Sequence, residues 1–183
     1  MDNSGLDKAI DILYANKDNW ANLSLAKKIP LFQSLTSKTI EVAKDWADAA
    51  VQAKSIPKDS PLSGEEWTSG PWALIYGIES MVETLKALDK GKNPPIGKIR
   101  SRSDGQLVAN IFPYNIYHHL LLSGIRAEVW MQKDVNEDNF NEHIAQVYRT
   151  DSQNGHISLV LGAGNVSSIP PLDVLDRLFA HKS

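Results

Sequence analysis

The chain of 183 residues contains no cysteine. That absence excludes a disulfide framework, a thiolate zinc site and a cysteine nucleophile within these residues. Long apolar runs are missing too. No stretch approaches the ~20 apolar residues of a membrane span. The opening MDNSGLDKAIDILYANKDNW has no basic start followed by an apolar block, so it does not read as a secretory signal. The expectation is a cytoplasmic protein without a membrane span. An excess of positive charge is also lacking: 19 Lys and Arg against 22 Asp and Glu leave a formal net charge of −3. Nothing here forms a basic footprint for nucleic acid, and Arg100 with Arg102 reads as a solvated strand face.

Several catalytic and metal-binding patterns are missing as well. There is no GxSxG elbow and no HExxH pair. His118 and His119 are adjacent, and neighbouring side chains diverge on a helix or a strand, so they converge poorly on one metal. The run DVNEDN (134–139) begins like a calcium loop. Its sixth position is Asn139 where glycine makes the sharp turn, and its twelfth is Ala145 where glutamate would chelate. It reads as a helix cap. Glu65 and Glu66 could form an acid–base pair, but after Gly64 they more simply begin a helix.

What is present fits one soluble domain with a sizeable core: 42% apolar and 22% charged residues. Leu6, Ile10, Leu13 and Tyr14 recur at helical spacing, and residues 16–24 read as a linker that ends on Ser24 as an N-cap. A longer helix follows, with Phe32, Leu35, Val42, Trp46, Ala49 and Ala53 on one stripe. Pro30 predicts either a start there or a kink. Residues 55–66 form a turn-rich break. A third helix carries Trp67, Pro71, Leu74, Ile75, Ile78, Val82, Leu85 and Leu88, and stops at Gly91 before Pro94.

The pattern then changes. Residues 96–112 read as a hairpin around Asp104-Gly105, a dipeptide suited to a two-residue turn. Residues 115–124 predict a short helix or an irregular crossing, and 125–132 another strand. Asn136 caps an expected helix running to about Arg149, and Gln153 to Gly155 turn the chain into a final strand. The order of elements predicts an α/β fold, with N-terminal helices packed on the start of a Rossmann-like parallel sheet and a protruding β-hairpin.

That final strand runs into the corner Gly162-Ala163-Gly164-Asn165 and then a helix. The glycine pair resembles half of a dinucleotide fingerprint, with Ser167 where the third glycine would stand. It is equally the chemistry of a tight strand-to-helix turn. Pro170 and Pro171 are tolerable only in the corner or the first helical turn. Asn165 has two readings of its own. Its amide could donate to an oxygen that gains negative charge during acyl-type chemistry, or it could make an Asx turn or N-cap.

The stretches SLAKKIPLFQSLTSKTIEVAKDWADAAVQAKSI and SPLSGEEWTSGPWALIYGIESMVETLKAL resemble the N-terminal helices of the aldehyde dehydrogenase superfamily. The closest likeness is to a divergent bacterial branch that shares features with long-chain acyl-CoA reductases. LVLGAGNVSSIPPLDVLDRLF falls where that branch carries a glycine–asparagine pair. The resemblance covers nearly the whole chain, residues 1–183, but only about the first third of a full-length enzyme. It implies an NAD- or NADP-dependent oxidoreductase acting on an aldehyde or an acyl thioester, and a homo-oligomer when full length. It implies that Asn165 is the oxyanion donor, that Gly162, Ala163 and Gly164 line the nicotinamide–ribose side of a cofactor cleft, and that 96–112 is an oligomerisation hairpin. In that family a cysteine attacks the carbonyl and a glutamate activates water. Neither motif occurs in this sequence, nor does the strand with its ribose-contacting lysine, so the expectation is an amino-terminal piece, inactive alone. The alternative expectation is a stand-alone, non-catalytic module that binds a nucleotide or caps an oligomer.

Overall fold

The computed structural model describes residues 4–57, 59–149 and 154–181. The fold is mixed helix and antiparallel sheet, in two compact units: residues 1–82 with 150–183, and residues 83–149.

The first unit is helical. Helix α1 (Ser4–Ala21) extends through the predicted linker, because NKDNW holds no helix breaker and its asparagine bonds back onto the helix, Asn16 Nδ2 donating to the Ile12 carbonyl at 2.8 Å. The stripe Leu6, Ile10, Leu13 and Tyr14 forms a helix face as expected but is exposed. Helix α2 (Leu25–Ala53) begins after Ser24, which occupies the N-cap position without a side-chain cap bond. It runs straight through Pro30. Proline leaves the Ala26 carbonyl without its helical donor, and both residues are exposed, so water can serve that carbonyl. The buried face of α2 is Ile29, Phe32, Thr39, Ala47 and Ala50. The predicted stripe is right at Phe32 and slips by a residue further on, since Val42 is exposed and Ala50 replaces Ala49.

The third predicted helix is interrupted. Helix α3 (Ser63–Trp67) passes through a widened turn, Thr68–Trp72, into α4 (Ala73–Asp89), whose residues from Glu83 belong to the second unit. Gly70 sits at φ −112°, ψ −107°, outside helical geometry, and Pro71 follows it. A Cβ on Gly70 would meet Ser167 Oγ at 3.2 Å and the Trp46 ring at 3.7 Å, so the break coincides with a close approach of chain segments. Helix α4 ends as expected. Gly91 takes φ +68°, with the Lys92 N–H donating to the Ala87 carbonyl and the Gly91 N–H to Leu88, both at 2.9 Å. That is a Schellman termination.

Helix α6 (Ile169–Ala180) completes the first unit, with Pro170 and Pro171 in its first turn. Its buried residues are Leu175 and Phe179. Phe179 packs edge-on against both Phe32 of α2 and Trp20 of α1, the latter at 5.4 Å between ring centroids. Trp20 Nε1 also donates to the Leu178 carbonyl at 3.0 Å.

The second unit is a three-stranded antiparallel sheet, β1 (Ile99–Ser101), β2 (Leu107–Phe112) and β3 (Ala127–Trp130), in the order β1-β2-β3. The hairpin is present, but its loop has three residues. Ser101 pairs Leu107, the Arg102 N–H bonds to the Gln106 carbonyl, and Gly105 takes φ +84°. This is a type I turn closed by a left-handed glycine. Helix α5 (Ile116–Leu121) is capped by Asn115, whose Oδ1 accepts from the His118 N–H at 2.9 Å.

Between Asn136 and Arg149 the expected α-helix does not form. Asn136 does cap, accepting from the Asp138 and Asn139 N–H groups, and Asn139 Oδ1 reciprocates to the Asn136 N–H at 2.8 Å. The chain then makes two 3₁₀ turns, Phe140–His143 and Gln146–Tyr148, parted by Ala145 at φ +52°. NEDNFNEH is poor in strong helix formers. Burying Phe140 with Leu107, Ala109 and Val135 outweighs what regular helix would contribute. The predicted turn at Gln153 lies outside the described residues.

The last predicted strand is extended, yet it pairs with no strand among the described residues. Gly155 holds its start. The Gly155 N–H donates to Asp18 Oδ1 at 2.7 Å, and a Cβ there would lie within 2.2 Å of the Lys17 carbonyl oxygen. That oxygen belongs to helix backbone and cannot rotate away. Gly155→Ala is expected to lower stability by about 1–3 kcal/mol, the range for overpacking. Gly64→Ala, with nothing within 4 Å of the new methyl, should raise stability by about 0.5–1 kcal/mol. Urea unfolding of both variants checks the pair, and a neutral Gly155→Ala would refute the close approach.

Candidate functional site

The corner is built from three held points. Gly155 fixes one end of the extended run through Asp18 of α1. Gly162 lies against α6, where a Cβ would meet Pro170 Cγ at 2.5 Å. Ser168, almost wholly buried, occupies the N-cap position of α6, and its carbonyl accepts from the Leu172 N–H at 3.0 Å. Between these points, Ala163, Gly164 and Asn165 bulge into solvent. Gly164 has open space around it.

This geometry separates the readings of the glycine pair. A helix N-terminus holds phosphate with free backbone N–H groups. Here the Ile169 N–H is directed at the Val166 carbonyl at 3.3 Å, Leu172 bonds Ser168, and Pro170 and Pro171 have no N–H. The first turn of α6 therefore offers no donor for a pyrophosphate. Gly162 is small because Pro170 occupies the space in front of it. Ser167, at the third fingerprint position, turns inward, with its Oγ buried and no partner among the described residues. The first turn of α6 does not fit a dinucleotide's pyrophosphate.

Asn165 is exposed and forms no hydrogen bond with the described residues. It is not the cap of α6, a position that belongs to Ser168. Its amide is available to donate outward from the end of the extended run. Gly162, Ala163, Gly164 and Asn165 are thus brought together on one exposed bend, as contiguous residues must be.

The other singled-out groups have structural work. Glu65 is exposed while Glu66 is fully buried and paired with Lys54, so the two glutamates do not converge. His118 lies between Phe112 and Tyr114, at 4.5 and 4.7 Å between ring centroids. Arg100 makes a forked contact with Glu128, at 3.0 and 3.2 Å, and Arg102 covers the Trp130 ring at 4.0 Å. Among the described residues no group of three or more His, Asp or Glu is placed to hold a metal ion.

Sequence reasoning missed Asp18, the group that ties the extended run to α1, because it sat inside the supposed linker. The Gly155 N–H, and then the Lys17 ammonium at 3.0 Å, hold the Asp18 carboxyl below its ordinary range. No family model, no curated protein and no solved structure matches this chain.

Two outcomes follow from this site. A carboxyl with a depressed folded pKa stabilises above its unfolded value of about 3.9 and ceases to do so as pH falls through the lower folded value. Stability of the parent should therefore drop across that acid window. Asp18→Asn should begin less stable at neutral pH and lose less on acidification. Parallel curves would remove Asp18 from the fastening of the extended run. Separately, titrating NADH or NADPH into the chain should give no saturable fluorescence change. Saturation would restore a phosphate cradle at α6.

Proposed function

We propose that this chain supplies the amino-terminal portion of an aldehyde dehydrogenase-type oxidoreductase, with Asn165 as an oxyanion donor. One observation carries the reading. The run 157–161 is extended and apolar except at Ser158, with Ile157, Leu159 and Leu161 exposed by 42%, 83% and 79% and Val160 part of a cavity wall between α1 and α6. A run with four apolar residues in five suits a strand inside a covered sheet. A strand, a tight corner and a returning helix are the first half of a crossover unit. The second strand of that unit, and the Rossmann-like sheet it implies, would come from other residues.

In this reading a thiolate adds to the carbonyl of an aldehyde or acyl thioester, and the carbonyl oxygen gains negative charge. The Asn165 N–H donors point at that oxygen from a bend where small neighbours let the substrate approach. The attacking sulfur lies outside these 183 residues, which contain no cysteine. NAD or NADP is the hydride acceptor that the resemblance implies. Its pyrophosphate would be held by other residues, since the α6 turn has no donor for it. The homo-oligomer and the role of the 96–112 hairpin rest on the same resemblance.

A second reading is a non-catalytic module that covers an oligomer or partner surface. It is favoured by α5, where Ile116, Tyr117, Leu120 and Leu121 are all exposed on a six-residue helix.

The decisive experiment produces the chain joined to the polypeptide encoded downstream and measures aldehyde-dependent reduction of NAD or NADP. Asn165→Ala should lower kcat by a factor of the order of 10²–10³, about 3 kcal/mol in the transition state, with the cofactor KM little changed. Equal turnover in parent and variant would take Asn165 out of the mechanism. A joined protein with no activity at all would leave the module reading in its place.

A further inference from the structure

A cavity of about 360 Å³ lies in the first unit, between α1, residues 156–160 and α6. Most of its wall is Leu13 and Trp20 of α1, Ile157 and Val160 of the extended run, and Val174 and Leu178 of α6. An apolar hollow of roughly 150 Å³ already stays dry and takes up benzene. This one is larger, and its volume falls at the low end of the range for small-molecule sites.

The space persists because its walls already touch elsewhere. The run meets helix backbone at its start, where the Gly155 N–H donates to Asp18 Oδ1 at 2.7 Å and no room is left for a Cβ beside the Lys17 carbonyl. Helix α6 meets α1 through Trp20, whose indole N–H donates to the Leu178 carbonyl at 3.0 Å and whose ring packs edge-on against Phe179. The walls cannot close further, so the apolar surface between them lacks the dispersion contacts of a filled core.

The polar groups around the hollow are committed elsewhere. Lys17 and Arg177 pair with Asp18 and Asp176 at 3.0 Å, and neither carboxylate lines the space. What these two side chains offer the hollow is their methylene stems. Asn16 Nδ2 donates to the Ile12 carbonyl at 2.8 Å. His156 and Ser158 are exposed, so water serves their polar atoms. A charge brought inside would lose its hydration and find its counter-charges already paired.

We infer that this hollow is a binding site for a small uncharged apolar molecule, of the size of a fused two-ring aromatic, held against Trp20, Val160 and Val174. The site is separate from the Asn165 corner and does not rest on the oxidoreductase reading.

The test titrates indole and indole-2-carboxylate into the full chain by calorimetry at several temperatures. Indole should bind saturably at one site per chain with a negative heat-capacity change, the mark of apolar burial. Its affinity should not fall as salt is raised. Indole-2-carboxylate should bind about tenfold more weakly, because its charge is desolvated without a new partner. Val174→Trp, which fills the hollow, should abolish indole binding; Val174 is 42% exposed, so the larger ring has room to be accommodated without unfolding the chain. The ligand comparison and the heat capacity are read on the parent protein, so the test survives failure of the variant to fold. Absence of saturable indole binding, carboxylate binding as tight as that of indole, a heat-capacity change near zero, or retained binding in a folded Val174→Trp would overturn the assignment.

Discussion

The first unit depends on one aromatic contact. Phe179, near the end of α6, is almost wholly buried and meets Phe32 of α2 and Trp20 of α1. Rings of this size bury more apolar area than any other side chain, and edge-on pairs contribute roughly 0.5–1.5 kcal/mol beyond that area. The contact fixes where α6 lies, and the close approaches that shape the corner follow. Leu172 presses on Gly77, where a Cβ would be only 2.6 Å away, and Pro170 fills the space before Gly162. Gly77 and Gly162 are small because α6 is there.

What was legible in the sequence was what short-range chemistry decides. The Gly91 stop, the hairpin around Asp104-Gly105, the Asn136 cap and the two prolines in the first turn of α6 each depend on a few adjacent residues, and each is found. The features that were illegible depend on partners distant in sequence. Trp20 stood in an apparent linker, and the partners that bury it, Leu178 and Phe179, come more than 150 residues later. The helix expected after Asn136 was capped correctly and then lost to the burial of Phe140. The stripe on α2 was located at Phe32 and drifted over the next three turns, because a short apolar pattern does not fix its phase to one residue.

The candidate site was legible to a similar degree and for the same reason. Strand, small-residue corner and helix could be read in order. Whether that corner cradles phosphate could not, because the answer lies in where four backbone N–H groups go. Two are spent on Val166 and Ser168, and two were never present, since prolines fill the positions. An anion site at a helix start and a proline-rich first turn are chemically opposed.

That opposition divides the extended run into two faces of different character. Toward its end the first turn of α6 has no free N–H group, and the exposed side chain on the bend is the neutral amide of Asn165. Near the start of the run, Val160 helps to wall an apolar hollow with Leu13 and Trp20 of α1 and Val174 of α6. Five residues of chain thus separate the exposed amide of Asn165 from the half-buried, apolar Val160. What keeps them apart is the pinning of the run at Gly155 and at Gly162, which prevents the segment from turning over and exchanging its faces.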